Sequence, residues 1–211
     1  MTTGGGTVRS GTARGAVGGC ISREKTIRRG VINIGSWYYG KGEVTKWIMD
    51  TFQTDASILD VGACDGTWHR RLLDYSNMDA IEIFDGNIPY LTKYRNVFHA
   101  DIIGFEYDWY DLIIFGDVIE HMTVENAQKV LNYAWPRCRD MIVAVPFELE
   151  QGECYGNHWE IHIQDDLTRE IFDERYPGFE VLVDPGHGYM YYHKPKPTER
   201  STEEYSIKIK W

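Results

Sequence analysis

The sequence predicts an α/β domain: a doubly wound, mainly parallel sheet of about seven strands with an antiparallel hairpin at its C-terminal edge. Three observations carry this. Short apolar runs alternate with segments of helical period, the pattern of βαβ units. The runs end in turns that hold glycine or an acidic residue. The last two runs are separated by only a short turn, too little chain for the crossover a parallel pair needs.

In chain order, Glu43–Phe52 places Val44, Trp47, Ile48 and Phe52 on one helical face. Ser57–Val61 is a strand ending in Asp60 and a glycine-containing turn. Thr67–Tyr75 is a helix with Trp68 and Leu72 one turn apart. Ala80–Phe84 is the second strand, Asn87–Tyr94 a short helix or turn, Val97–His99 a third strand and Asp111–Phe115 a strongly apolar fourth. The next helix carries the clearest stripe: Val124, Ala127, Val130, Leu131, Ala134 and Trp135, with Thr123 as cap and Pro136 as stop. Met141–Val145 is a fifth, fully buried strand. A helix over Asp165–Asp173 is expected, capped by Asp165 or Asp166. Phe179–Val183 and Tyr189–His193 form the final strands around the turn 184–188.

The chain has 211 residues, 43% hydrophobic and 14% aromatic, enough to bury one sizeable core. Residues 1–19, rich in Gly, Thr and Ala, read as a flexible leader or a tag, residues 20–197 as a single domain and residues 198–211 as a C-terminal tail. No apolar run has the length of a membrane span and no signal peptide is evident, so a cytoplasmic protein without a membrane partner is expected. A net charge of -10 disfavours long nucleic acid as a partner, Lys25, Arg28 and Arg29 being read as a solvated basic segment. Cys20, Cys64, Cys138 and Cys154 include no CxxC pair and read as free thiols.

Open α/β sheets bind ligands outside the carboxyl ends of their strands. There the first strand runs through Asp60, Val61, Gly62, Ala63, Cys64, Asp65, Gly66 and Thr67 into a helix. Gly62 and Gly66 allow a close backbone approach, and amides at the helix start can hold an anion. Glu82, 22 residues beyond Asp60, can accept both hydroxyls of a ribose. Asp101, after the third strand, can accept a bond from an adenine amino group. The fourth strand runs into Asp117-Val118-Ile119-Glu120-His121. A nicotinamide dinucleotide site expects G-x-G-x-x-G, and no such run begins at Gly62.

Together these residues resemble the class I S-adenosylmethionine-dependent methyltransferases. The family's acid-x-Gly-x-Gly-x-Gly loop is similar to Asp60-x-Gly62-x-Cys64-x-Gly66, in which Cys64 replaces the middle glycine. Glu82, Asp101 and the stretch 110–122 add specificity, and the likeness covers about residues 55–146. The resemblance implies a Rossmann-like fold, S-adenosyl-L-methionine as cofactor and a transferase activity. It implies that Gly62 lies beside the methionine part, that Asp60 orders the loop or meets the amino group, that Glu82 holds the ribose, that Asp101 and the Ile102 backbone face the adenine, that Asp117 sits near the methyl sulfonium end, and that Ala63, Cys64, Gly66 and Ile83 also bind the cofactor.

Methyl transfer needs an aligned acceptor, exclusion of water and, for some acceptors, removal of a proton. His121, with Asp117, is the candidate catalytic group, the alternative being a structural hydrogen bond at a helix start. Asn157, His158, Trp159, Glu160 and His162, in the long segment after the fifth strand, are the candidate acceptor-binding residues. On a strand, His158, Glu160 and His162 would share one face and offer two imidazoles and a carboxylate to a metal. No metal is assigned, because no supporting partner is identifiable from sequence. Trp37, Tyr38 and Tyr39 are either a lid or core residues. The expected acceptor is a small molecule, a sugar or another biosynthetic intermediate. The alternatives are a protein acceptor or a non-catalytic cofactor-binding module.

Overall fold

The computed structural model describes residues 38–154 and 156–195. The leader, Trp37, Tyr155, the basic segment, Cys20 and the tail beyond Pro195 lie outside the described residues. Seven strands form one sheet: β1 (Ile58–Val61), β2 (Met78–Glu82), β3 (Asn96–His99), β4 (Tyr110–Gly116), β5 (Cys138–Pro146), β6 (Glu180–Val183) and β7 (Tyr189–Pro195). Their order is β3-β2-β1-β4-β5-β7-β6. The first five pair in parallel, while β7 runs antiparallel to both β5 and β6. The Rossmann-like sheet with an antiparallel C-terminal edge is therefore present.

The central strands have two apolar faces because helices cover both. On one side, α1 (Lys41–Thr51) and α2 (Thr67–Arg71) contribute Val44, Ile48 and Trp68 to a core with Ile58, Leu112, Ile114, Ile142 and Tyr191. On the other, α3 (Val124–Ala134) and α4 (Arg169–Arg175) place Ala127, Val130, Leu131 and Phe172 against Leu59, Ile113, Phe115, Val143 and Tyr192. Neighbours in β4 alternate between the two cores, the period of two that a strand imposes. Among the described residues, no helix is long and apolar enough to cross a membrane.

Thr123 caps α3 as expected, accepting a bond from the Asn126 amide at 3.3 Å. The expected cap of α4 is corrected. Thr168 caps it, 3.2 Å from the Ile171 amide, and the helix starts at Arg169. Asp166 is drawn instead into an ion pair with Arg175, leaving Asp165 and Asp166 outside the helix. Helix α2 stops at Arg71, four residues short of expectation. The Tyr75 hydroxyl bonds the carbonyls of Ile48 and Phe52, tying the following chain to α1. β2 ends at Glu82 rather than Phe84, because the Glu82 carboxylate accepts the Phe84 amide and turns the chain. Residues 158–160 form a 3-10 turn rather than a strand, so His158, Glu160 and His162 do not share a strand face.

Candidate active site at the carboxyl ends of the strands

The turn after β1 brings two sequence-predicted groups, Cys64 and Glu82, into direct contact. Glu82 is 4% exposed, and its two oxygens accept the amides of Cys64 at 2.7 Å and Phe84 at 2.8 Å. One carboxylate thus clamps the loop after β1 to the end of β2. A carboxylate offers about four lone-pair sites, so capacity remains for the hydroxyls of a ligand. Asp101 lies at the same end of the sheet. Glu82 pairs with His99, and the Asp101 side chain accepts the Ile103 amide at 2.8 Å in the exposed turn beyond it. Ile102 is buried beside it, and the Ile83 carbonyl pairs with His99 Nε2 at 3.1 Å.

Gly62 has φ +66°, and a Cβ there would lie 2.7 Å from Val118 Cγ2. The loop after β1 and the turn after β4 therefore touch at a point where only glycine fits. Gly62→Ala is expected to lower stability by about 1–3 kcal/mol through the left-handed backbone and this clash. Urea unfolding checks it, and an unchanged midpoint would remove the contact as a constraint. Cys64 has φ 49°, so the residue in place of the family's middle glycine also holds a left-handed conformation. Burial pushes its thiol pKa far above the usual range, which makes it inert rather than nucleophilic.

Beneath the loop, Asp60 is 1% exposed and accepts a bond from the Tyr94 hydroxyl. Desolvation pushes its carboxyl up to about 7, against the favourable Tyr94 bond and Lys41 charge. Ala63 is buried, and Gly66 is the N-cap of α2.

After β4, Asp117 adopts φ 59° and accepts a bond from the Tyr189 hydroxyl. Its other oxygen lies 3.9 Å from Lys41 Nζ. Lys41 is 2% exposed, and its ammonium, 4.9 Å from the centre of the Trp68 ring, makes no hydrogen bond. Burial lowers its pKa, opposed by Asp117 and Asp60. Neither Lys41 nor the phenols of Tyr94 and Tyr189 figured in the sequence reading.

The 3-10 turn Ile119–His121 and the segment after β5 complete the arrangement. Ile163 and Gln164 donate to the Glu120 carbonyl, and the Gln164 side chain donates to the carbonyls of Ile119 and Met122. These bonds bring His162 against His121, with ring centroids 4.8 Å apart. His121 Nδ1 pairs with the Ile161 carbonyl at 3.3 Å, and His162 Nδ1 with the Leu149 carbonyl at 2.7 Å. Burial first, then His162, lowers His121 to about 4; burial also lowers His162. Both rings are neutral at pH 7. That depression weakens the basicity that sequence reasoning credited to His121.

Glu160 turns toward the same centre. Burial, followed by Glu82 and Asp117, raises it to about 7. Asn157 spends its side chain within the segment, accepting the Trp159 amide and donating to Glu160 Oε1 at 3.2 Å. His158 and Trp159 are exposed, with ring centroids 4.4 Å apart and planes tilted by 39°. The structure therefore gathers Gly62, Cys64, Glu82, Asp117, His121, Glu160 and His162, and leaves His158 and Trp159 at the rim. A groove of about 460 Å³ at the opposite, amino ends of the strands is not a rival. Its buried acid, Asp79, is already satisfied by Arg95, Asn96 and Tyr110.

No protein-family model and no curated protein sequence matches the chain. Solved structures do. A S-adenosylmethionine-dependent methyltransferase from Clostridium acetobutylicum ATCC 824 superposes with a TM-score of 0.55 at 10% identity, over 74% of this chain and 89% of that one. The chain has the class I methyltransferase fold. The magnesium protoporphyrin IX methyltransferase ChlM from Synechocystis PCC 6803, solved with bound S-adenosylmethionine, gives 0.50 at 14% identity, over 72% and 76%. The pyocyanin biosynthetic protein PhzM gives 0.53 at 12%, over 72% and 54%, so the chain spans about half the length of PhzM.

Proposed function

We propose that the chain transfers the methyl group of S-adenosylmethionine to a small-molecule acceptor such as a sugar or another biosynthetic intermediate. The observation that carries this is the Glu82 carboxylate, held at the end of β2 by the Cys64 and Phe84 amides with lone pairs to spare. The other strand-end groups fit the same cofactor. Asp60, Glu120 and Glu160 lie close enough to Glu82 or Asp117 to interact electrostatically, and burial raises all three acids; a sulfonium cation placed among them would favour their charged forms, whereas a pyrophosphate would not.

Glu82 and Ile83 would hold the ribose, Asp101 and Ile102 the adenine, and Gly62, Ala63, Cys64 and Gly66 the methionine part, with Asp117 at the methyl end. When bound, S-adenosylmethionine supplies an activated methyl group on a good leaving group. The chain then has to place the acceptor in line and keep water out. The neutral imidazoles of His121 and His162, together with Glu160, form the acceptor end, and Asn157 fixes Glu160. His158 and Trp159 would meet larger acceptors at the rim.

Calorimetric titration with S-adenosylmethionine and S-adenosylhomocysteine, with NAD as control, tests the cofactor. Micromolar binding of the first two supports the reading; a folded protein that binds neither overturns it. His121→Ala is expected to slow turnover by at least about tenfold while leaving cofactor affinity nearly unchanged, as loss of an acceptor-side group should. Unchanged turnover would remove His121 from the acceptor end.

A further inference from the structure

Among the described residues, one set of three ligating side chains converges: Glu120, His121 and His162 bring donor atoms within 4.8 Å of one another. We propose that these three residues form a binding site for a divalent transition-metal ion at the acceptor end of the cleft. The site differs from the His158, Glu160 and His162 trio considered from sequence, because the 3-10 turn exposes His158 and the fold supplies Glu120 and His121 in its place.

Two independent features point to a cation. Glu120 is 1% exposed, neither of its oxygens accepts a hydrogen bond, and Oε1 lies 4.0 Å from His121 Nε2. Such a carboxylate is strongly destabilising unless it is neutralised or meets a positive charge. Each imidazole also has Nδ1 against a backbone carbonyl, Ile161 for His121 and Leu149 for His162. This is the supporting bond that fixes a ligating histidine and directs the Nε2 lone pair to a metal.

The donor set selects the metal. Two imidazoles and one carboxylate suit zinc, cobalt, iron or manganese better than magnesium or calcium, which prefer oxygen. Metal–ligand bonds near 2.0–2.2 Å place donors on one ion roughly 3–4 Å apart, so loading draws the three side chains together by about an ångström. Three protein donors leave at least one position for a ligand from the cleft. A lone pair given to a metal cannot also take a proton, so this assignment makes His121 a ligand and not a base.

The full-length chain, stripped with a chelator, is titrated with Co²⁺ alone and followed by its visible absorption, then by displacement with Zn²⁺. One Co²⁺ per chain is expected. His162→Ala and Glu120→Gln should each weaken uptake by about 100-fold or more, beyond the effect of losing an outer partner. No uptake by folded, stripped protein, or uptake that survives both substitutions, overturns the site. No cofactor is present in this titration, so its outcome is separate from that of the S-adenosylmethionine titration.

Discussion

Glu82→Gln is expected to weaken S-adenosylmethionine binding by roughly 10- to 100-fold, the loss of a charged hydrogen bond worth about 1.5–3 kcal/mol. The glutamine keeps the shape of the side chain but replaces one acceptor by an amide donor. Both oxygens of Glu82 already receive backbone N–H groups, from Cys64 and Phe84. In the variant one of those amides faces a donor, and the remaining oxygen cannot serve the other amide and two ribose hydroxyls. Stability should fall by about 1–3 kcal/mol as well, because the group is 4% exposed and one amide is left unpaired. The two effects separate by measurement: a thermal melt establishes that the variant folds, and calorimetry on the folded variant gives its affinity. Asp101→Asn provides the contrast. Asp101 is exposed and its tie to the Ile103 amide survives the change, so a smaller loss is expected. Equal affinity of wild type and folded Glu82→Gln would withdraw the ribose assignment and leave Glu82 as a loop clamp.

The sheet was legible because its rules are local. Leu112, Ile113, Ile114 and Phe115 form an unbroken apolar run, which a strand covered on both faces requires, and the structure buries all four. Asp60, Glu82, Asp101 and Asp117 could be placed at the ligand-binding end because strand polarity follows from the βαβ order. What the sequence could not show depends on long-range approach. Lys41 reads as an ordinary polar residue before a helix, and its burial over Trp68 follows only from α1 meeting α2 and β7. Glu120 sits between Ile119 and His121 with no periodic signal. Its partner His162 is 42 positions away, brought near by Gln164, whose side chain reaches the carbonyls of Ile119 and Met122. The misplaced cap of α4 has the same origin, since Asp166 has the chemistry of a cap but Arg175 takes it away.

The acid beneath the loop should govern how stability varies with pH. The Asp60 carboxyl is raised from 3.8 to about 7, chiefly by desolvation. Between those values the folded chain holds a proton that the unfolded chain has released. Stability from this group is therefore fully present below about pH 4, falls as pH rises, and is lost above about pH 7. The span sets an upper bound of roughly 4 kcal/mol. Asp60→Asn removes the titration while its side-chain oxygen can still accept the Tyr94 hydroxyl, now as a neutral pair. Urea unfolding from pH 4 to 8 should give curves that start together and diverge, with the variant the more stable at pH 8. Parallel curves across the range would show that Asp60 stays charged in the folded chain, held by Lys41 and the Tyr94 hydroxyl. In that case the ammonium of Lys41, rather than a proton, balances the acid, and the cleft would carry one more negative charge toward a cationic cofactor.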